Sequence, residues 1–238
     1  MVTTPRSSSP KPITPPQRSG QRGVYECYIE HNEKLYSLTW TGDINYPNLA
    51  GFPALRAGKI SPVEESPDTA SLRRNSVLLD YGSHSCIRRV DSHSYPIIKL
   101  AHANDLSMTL IQYEYEMLNR LATSGLPIPA FSDIPIFERG KLRGYQMKEL
   151  YKLEHGELRL RSEEVRQAVN RFHEAGYSHG DLSLSNVMKD RQGCIVLIDV
   201  SCSGPIGEEI PSWIPIWAYD GATFNKESDM KQMENFLS

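Results

Sequence analysis

A chain of 238 residues, 39% of them hydrophobic, can build one substantial domain or two small lobes with real cores. Its formal net charge of −3 excludes a global basic field of the kind that nucleic acid or an anionic membrane surface selects, and no run approaches the roughly 20 apolar residues that span a bilayer. Four cysteines without a CxxC pair, and an N-terminus without an apolar signal core, point to a soluble protein in a reducing, intracellular and cytoplasmic setting, with the nucleus left open.

Residues 1–23 carry Pro5, Pro10, Pro12, Pro15 and Pro16 among Ser, Thr, Lys and Arg, the composition of a disordered tail. Thr4-Pro5, Ser9-Pro10 and Thr14-Pro15 read as sites for proline-directed modification or as plain linker. Residues 24–72 form an N-terminal extension. In it, alternating Tyr25, Cys27, Ile29 and Leu35, Leu38, Trp40 flank His31-Asn32-Glu33-Lys34 and predict a hairpin, whereas 41–72, rich in Gly, Pro and Asp, read as a long loop. Arg73-Arg74-Asn75-Ser76 has the look of a basophilic phosphorylation site, but a solvated charge pair ahead of a strand is the preferred reading.

The next stretch, 73–147, reads as a small sheet plus one helix. Strands are expected over 77–81, 86–90 and 95–100, with Gly82-Ser83-His84-Ser85 joining the first two. Taken alone this is a hairpin turn; Gly82 also gives backbone N–H groups access to phosphate oxygens. Lys99 stands in a strand otherwise made for burial, which suits a phosphate-gripping lysine or a lysine snorkelling from a strand end. Helical spacing of Leu110, Met117, Leu118 and Leu121 predicts a helix over 105–123 that carries Glu114 on its apolar face and Glu116 on another. A hairpin over 134–147 then leads to Met147-Lys148-Glu149-Leu150, where the backbone groups of Lys148 and Leu150 would hold an adenine.

In the remaining stretch, 148–238, Ser162 is expected to N-cap an amphipathic helix that buries Val165, Ala168, Val169 and Phe172 and stops before Gly176. His173 in that helix reads as a core-edge residue. After it comes His179-Gly180-Asp181-Leu182-Ser183-Leu184-Ser185-Asn186, then the buried strand Ile195-Val196-Leu197-Ile198 ending in Asp199. Two carboxylates and a carboxamide in this order serve Mg²⁺-assisted phosphoryl transfer: Asp181 takes the proton of an attacking hydroxyl, while Asn186 and Asp199 offer the oxygen ligands that Mg²⁺ prefers. A zinc site at His179 lacks further ligands at usual spacing, and no cysteine sits in a motif that would make it a nucleophile, so His179 is assigned a structural hydrogen bond. Pro211 to Trp217 reads as a seal over the core rather than a substrate surface, and 225–237 as a helix with an apolar stripe of Met230, Met233, Phe236 and Leu237.

With Gly82, Lys99, Glu114, Asp181, Asn186 and Asp199 in that order, residues 77–204 resemble the protein-kinase-like superfamily, and His-Gly-Asp-Leu-Ser-Leu-Ser-Asn with Ile-Asp-Val-Ser is most similar to atypical RIO-type kinases. Aminoglycoside- and choline-kinase-like enzymes have a similar His-Gly-Asp motif. The resemblance implies an α+β, bilobal fold, with an antiparallel N-lobe sheet over 73–147 and a reduced, helical C-lobe over 148–238. ATP and Mg²⁺ would sit between the lobes, with Gly82 and Ser85 in the phosphate loop and Lys99 paired to Glu114. It further implies a Ser/Thr protein kinase, with a small-molecule hydroxyl kinase and a pseudokinase or ATPase binding module as the competing readings; the partner is a protein or small-molecule hydroxyl. Gly180 and Ser183 replace an Arg and a Lys of conventional kinases, and the stretch after Asp199 is expected to be too short for a phosphorylation-controlled activation segment.

Overall fold

The computed structural model describes residues 9–56, 58–91 and 94–237, apart from the side chain of His155; the Thr4-Pro5 dipeptide lies outside the described residues. The chain divides into two compact units, one made of Met1–Met108 with Pro135–Gly144 and the other of Thr109–Ile134 with Tyr145–Ser238. The architecture is α+β, with antiparallel sheets and five helices among the described residues. No described helix is long and apolar enough to cross a membrane.

The first unit opens with strands β1 (Lys11–Pro12), β2 (Gln17–Arg18), β3 (Val24–His31), β4 (Lys34–Thr41) and β5 (Lys59–Pro62), ordered β1-β3-β4-β5 with β2 also paired to β3. Period-two alternation turns Cys27 and Ile29 of β3 and Leu38 and Trp40 of β4 to one face, where Phe52 completes a buried cluster. The β3–β4 turn takes Asn32 and Glu33 into the left-handed region, at φ 47° and 61°, as a two-residue hairpin turn demands. The tail expected to be disordered through residue 23 is therefore corrected from residue 9 onward. Ile13 and Thr14 are buried, Thr14 Oγ1 accepts the Tyr28 N–H at 2.8 Å, and Pro12 is tolerated because β1 is an edge strand.

The long loop expected over 41–72 is also corrected. Beyond β5 it contains helix α1 (Pro67–Arg74), with Ser66 as N-cap accepting the Thr69 N–H and Pro67 at the first helical positions. Arg73 is not solvated. It is 2% exposed, with its guanidinium 2.8 Å from Glu65, 3.4 Å from Glu30 and 2.8 Å from the Glu33 carbonyl. Arg88, equally buried, reaches Glu30 at 2.9 Å, the Arg73 carbonyl at 2.9 Å and Ser76 Oγ at 2.8 Å, which draws Ser76 into the same network.

A second sheet runs in the order β6-β7-β8-β10-β9, from β6 (Val77–Tyr81), β7 (Ser85–Arg89), β8 (Ile97–Ala101), β9 (Ile136–Glu138) and β10 (Lys141–Met147). Every residue of β8 is buried. Gly144 of β10 is required there, since a Cβ would lie 2.3 Å from the Lys99 carbonyl oxygen.

Helix α2 (Asp105–Thr123), drawn from the sequence into the first lobe, belongs from Thr109 onward to the second unit. The side chains explain why: Tyr113 donates to the Ser203 carbonyl at 2.7 Å and packs edge-on against Trp213, and Tyr115 packs on Phe131. This unit also holds β11 (Tyr151–Lys152), α3 (His155–Leu160), α4 (Ser162–Glu174), β12 (Tyr177–Ser178), β13 (Val187–Lys189), β14 (Ile195–Leu197), β15 (Gly204–Pro205) and α5 (Lys226–Leu237). Two small sheets form, β11-β13-β14 and β12-β15. Ser162 is not the N-cap of α4. Because α3 ends directly before it, Arg161 closes one helix and opens the next, reaching Glu164 and the Gly193 carbonyl. The expected face of α4 is buried, and Gly176 follows its end at φ +84°. Ile214, Ala218 and Tyr219 seal a cluster with Cys202 and Phe224, while Ile216 and Trp217 remain exposed.

Candidate active site

The loop 179–186 lies between β12 and β13, and β14 delivers Asp199 beside it. Both backbone groups of Ile198 are tied into this loop: its N–H donates to the Asn186 carbonyl at 2.9 Å, and its carbonyl accepts from His179 Nε2 at 3.0 Å. Since His179 Nδ1 accepts the Asp181 N–H, the ring is the Nε2–H tautomer, wholly buried, in the structural role expected of it. Asp199, the next residue, takes φ 61° and ψ 59°, a left-handed conformation that non-glycine residues adopt at a cost, and Ser201 Oγ donates to its Oδ1 at 2.9 Å.

Asn186, in a 3₁₀ turn (Leu184–Asn186), donates its side-chain amide to both the Asp181 carbonyl at 2.8 Å and Asp181 Oδ2 at 3.0 Å. That orients the Asp181 carboxylate and points the Asn186 carbonyl oxygen away from it. Buried Cys202 registers the shared field of this corner: burial pushes its thiol up to about 12, aided by the negative charges of Asp181 and Asp199. The Tyr145 hydroxyl is likewise held well above its ordinary value by burial and by Glu114 and Asp199, and it donates to Glu114 Oε1 at 3.1 Å. Glu114 is buried, whereas Glu116 is exposed and bonded to Gln112.

The principal residues missed in the sequence are Asp229 and Gln232 of α5. Asp229, fully buried, accepts the N–H of His179 at 2.8 Å and of Gly180 at 2.7 Å, and faces His173 Nε2 at 2.9 Å. Gln232 accepts the Leu182 N–H and donates to the Gly180 and Ala218 carbonyls. The buried side of α5 is thus Ser228, Asp229 and Met233 rather than a stripe of apolar residues, because a buried loop's N–H groups need acceptors. Gly180 is imposed by the same packing: φ is +78°, and a Cβ would lie 2.5 Å from Tyr219 Oη and 2.6 Å from the Cys202 carbonyl.

The first unit places Lys99 in β8, 7% exposed, and carries the connection between β6 and β7. Gly82 there is not left-handed, and an added Cβ would meet nothing nearer than the Ser85 carbonyl at 4.0 Å. The fold itself does not demand glycine at 82, and the open space above it suits close approach of a phosphate oxygen. In the second unit the Lys148 N–H is spent on the Ala130 carbonyl, so Lys148 can offer an adenine only its carbonyl. Among the described residues no group of three or more His, Cys, Asp and Glu side chains is placed to hold a metal. The donor set is one carboxamide oxygen and one carboxylate, hard ligands that fit Mg²⁺ with water and phosphate completing its shell.

No curated protein matches this chain. A family model described as RIO domain matches residues 87–210, just over half of the chain, a span that holds Lys99, Glu114, Lys148, Leu150, Asp181, Asn186 and Asp199 but not the N-terminal sheet or α5. With a family match over more than half of its length, the chain belongs to the RIO domain family, and its fold is that of an atypical kinase-like protein.

Proposed function

We propose that the protein is a Mg-ATP-dependent phosphotransferase whose acceptor is a Ser or Thr hydroxyl of a folded protein. The observation that carries this reading is the pair of hydrogen bonds from the Asn186 side-chain amide to the Asp181 carbonyl and carboxylate, which fixes that carboxylate and leaves the carboxamide oxygen turned away from it. Asp181 would accept the proton of the acceptor hydroxyl as its oxygen bonds to the γ-phosphorus and the bridging P–O bond breaks to release ADP; Lys99 and the Gly82–Ser85 loop would hold the phosphates. Mg²⁺ held by Asn186 and Asp199 would neutralise charge on the β- and γ-phosphates. The left-handed backbone at Asp199 and the two bonds to Ile198 keep that carboxylate in place before nucleotide arrives.

The chain after Asp199 supports activity without a phosphorylation switch. It passes through one 3₁₀ turn (Val200–Cys202) straight into β15, which pairs with β12, and Ser203 is fully buried with its hydroxyl on the His179 carbonyl. In the deciding experiment, melting is followed with and without millimolar Mg-ATP for the wild type, Lys99→Met and Asp199→Asn. Labelled ATP is then offered with a protein fraction and, separately, a metabolite fraction. The proposal expects a wild-type shift, a weaker one in Lys99→Met, loss of Mg²⁺ dependence in Asp199→Asn, and label in protein. Label confined to metabolites would establish the small-molecule kinase instead, and a shift without transfer an ATPase or binding module.

A further inference from the structure

The loop Gly82–Ser85 has an unusual property: all four of its carbonyl oxygens are already accepting hydrogen bonds. Gly82 O takes His102 Nε2–H at 2.9 Å, Ser83 O takes the side-chain amide of Gln17, His84 O takes the His102 N–H at 2.9 Å, and Ser85 O takes the Gly82 N–H at 2.8 Å. Carbonyl lone pairs repel phosphate oxygens. A loop whose acceptors are all drawn back into the protein meets an incoming anion without that repulsion. Two of the four bonds come from one residue, His102, just past the end of β8, and a third from β2 of the N-terminal sheet.

His102 is itself held by that sheet. It is 2% exposed, and its ring stacks on Tyr28 of β3 with centroids 5.7 Å apart and planes at 30°. The Tyr28 hydroxyl is hydrogen-bonded to the side chain of Asn104, two residues beyond His102, and the Asn104 N–H donates to the His102 carbonyl at 2.9 Å. Tyr28 in turn is fixed through its backbone, by Thr14 Oγ1 and by the Ile13 N–H on its carbonyl. A continuous set of bonds thus runs from β1, β2 and β3 to the loop, and neither the N-terminal sheet nor the loop falls within residues 87–210.

We propose that His102 is a positioning residue for nucleotide binding, and that the N-terminal sheet acts through it and Gln17 to hold the carbonyls of Gly82, Ser83 and His84 away from the phosphates. The inference rests on the proposed function. His102 does not touch the nucleotide; it sets the direction of the loop's peptide groups. The sheet over residues 9–62 is then part of the nucleotide-binding apparatus and not an independent appendage.

The test separates the two claims. Amide hydrogen exchange of Gly82–Ser85 is measured without nucleotide in the full chain, for wild type, His102→Phe, which keeps a ring against Tyr28 but loses the Nε2 donor, and His102→Gln, which restores an amide N–H at similar reach. Mg-ATP affinity and the KM and kcat for ATP are measured on the same proteins, with Gln17→Ala as a surface variant that removes one bond without disturbing the core. The expected result is faster exchange in His102→Phe, a five- to tenfold rise in Kd and KM with kcat within twofold, recovery in His102→Gln, and a two- to threefold rise in Gln17→Ala. Unchanged exchange, or unchanged affinity in both His102→Phe and Gln17→Ala, overturns the proposal. A wild type that exchanges as expected but binds no nucleotide overturns the proposed function, and with it the loop's role toward phosphate.

Discussion

Asp229 and Gly180 lie 49 positions apart in sequence, yet the Gly180 N–H reaches Asp229 Oδ1 at 2.7 Å inside a fully buried site. The loop that carries Asp181 is therefore hung from helix α5. Replacing Asp229 with Ala leaves two buried N–H groups and the His173 ring without their acceptor. The expected loss is about 3–5 kcal/mol, read as the shift of the urea midpoint, with Asp229→Asn intermediate because one carbonyl oxygen remains.

Gly180→Ala is expected to be at least as damaging as the loss of a cap or a surface bond. The residue is left-handed, and the new methyl would meet Tyr219 Oη and the Cys202 carbonyl well inside contact distance. A shift of about 2 kcal/mol or more in stability, partly relieved by Tyr219→Phe, would confirm that packing selects glycine in this motif.

Asp181→Asn should separate binding from turnover. In the proposed reaction the carboxylate would address the acceptor hydroxyl, so the Mg-ATP thermal shift is expected to survive while phosphoryl transfer falls by about 10² to 10⁴. Transfer at the wild-type rate in Asp181→Asn would remove Asp181 from its assigned role.

Acid should weaken the first unit through His102. Burial, with help from Arg143 and His84, pulls this imidazole down to about 4, against the bond to the Gly82 carbonyl, which acts the other way. The unfolded chain takes up a proton near pH 6.5 and the native state does not. The contribution of a neutral His102 is thus complete above pH 6.5 and fades as pH falls towards 4, by roughly 3 kcal/mol in all. His102→Gln should show a shallower loss of unfolding free energy between pH 6.5 and 4.5 than the wild type.

Ser201→Ala and Ser203→Ala are expected to keep turnover, since the segment after Asp199 is already built into β15. Mass spectrometry of active protein should find no phosphate at Ser203, whose hydroxyl is buried on the His179 carbonyl.

What the sequence revealed and what it concealed divide along chain distance. That the loop of Asp181 and Asn186 would lie against the end of the strand before Asp199 could be anticipated, because the segments are within twenty residues of each other and that strand announces itself by unbroken apolar residues. The inward face of Glu114 followed from helical period alone. Asp229 and Gln232 carried no such signal: an acid and an amide on an otherwise amphipathic helix look solvated until the loop they satisfy is placed beside them. Arg73 was misread for the same reason, since composition does not show that Glu30 and Glu65 fold over it, and buried Arg88 gave no signal at all. The strands β1 and β2 were hidden by the prolines around them; two buried residues, Ile13 and Thr14, were too few to stand out. The Ser66-Pro67-Asp68 start of α1 was the one local signal present and passed over.

The chain has three tryptophans, and only Trp40 lies in a core, that of the N-terminal sheet; Trp213 and Trp217 face solvent at 39% and 61% exposure. The Trp40 indole N–H donates to the Asp43 carbonyl at 2.8 Å, which fixes the ring in an apolar setting. With Trp213 and Trp217 changed to Phe, the remaining emission would report one sheet alone, blue while it is assembled and red once water reaches the ring. The molecule thus carries a native optical gauge that can tell whether the strands ahead of the RIO domain match melt together with the rest of the chain or before it.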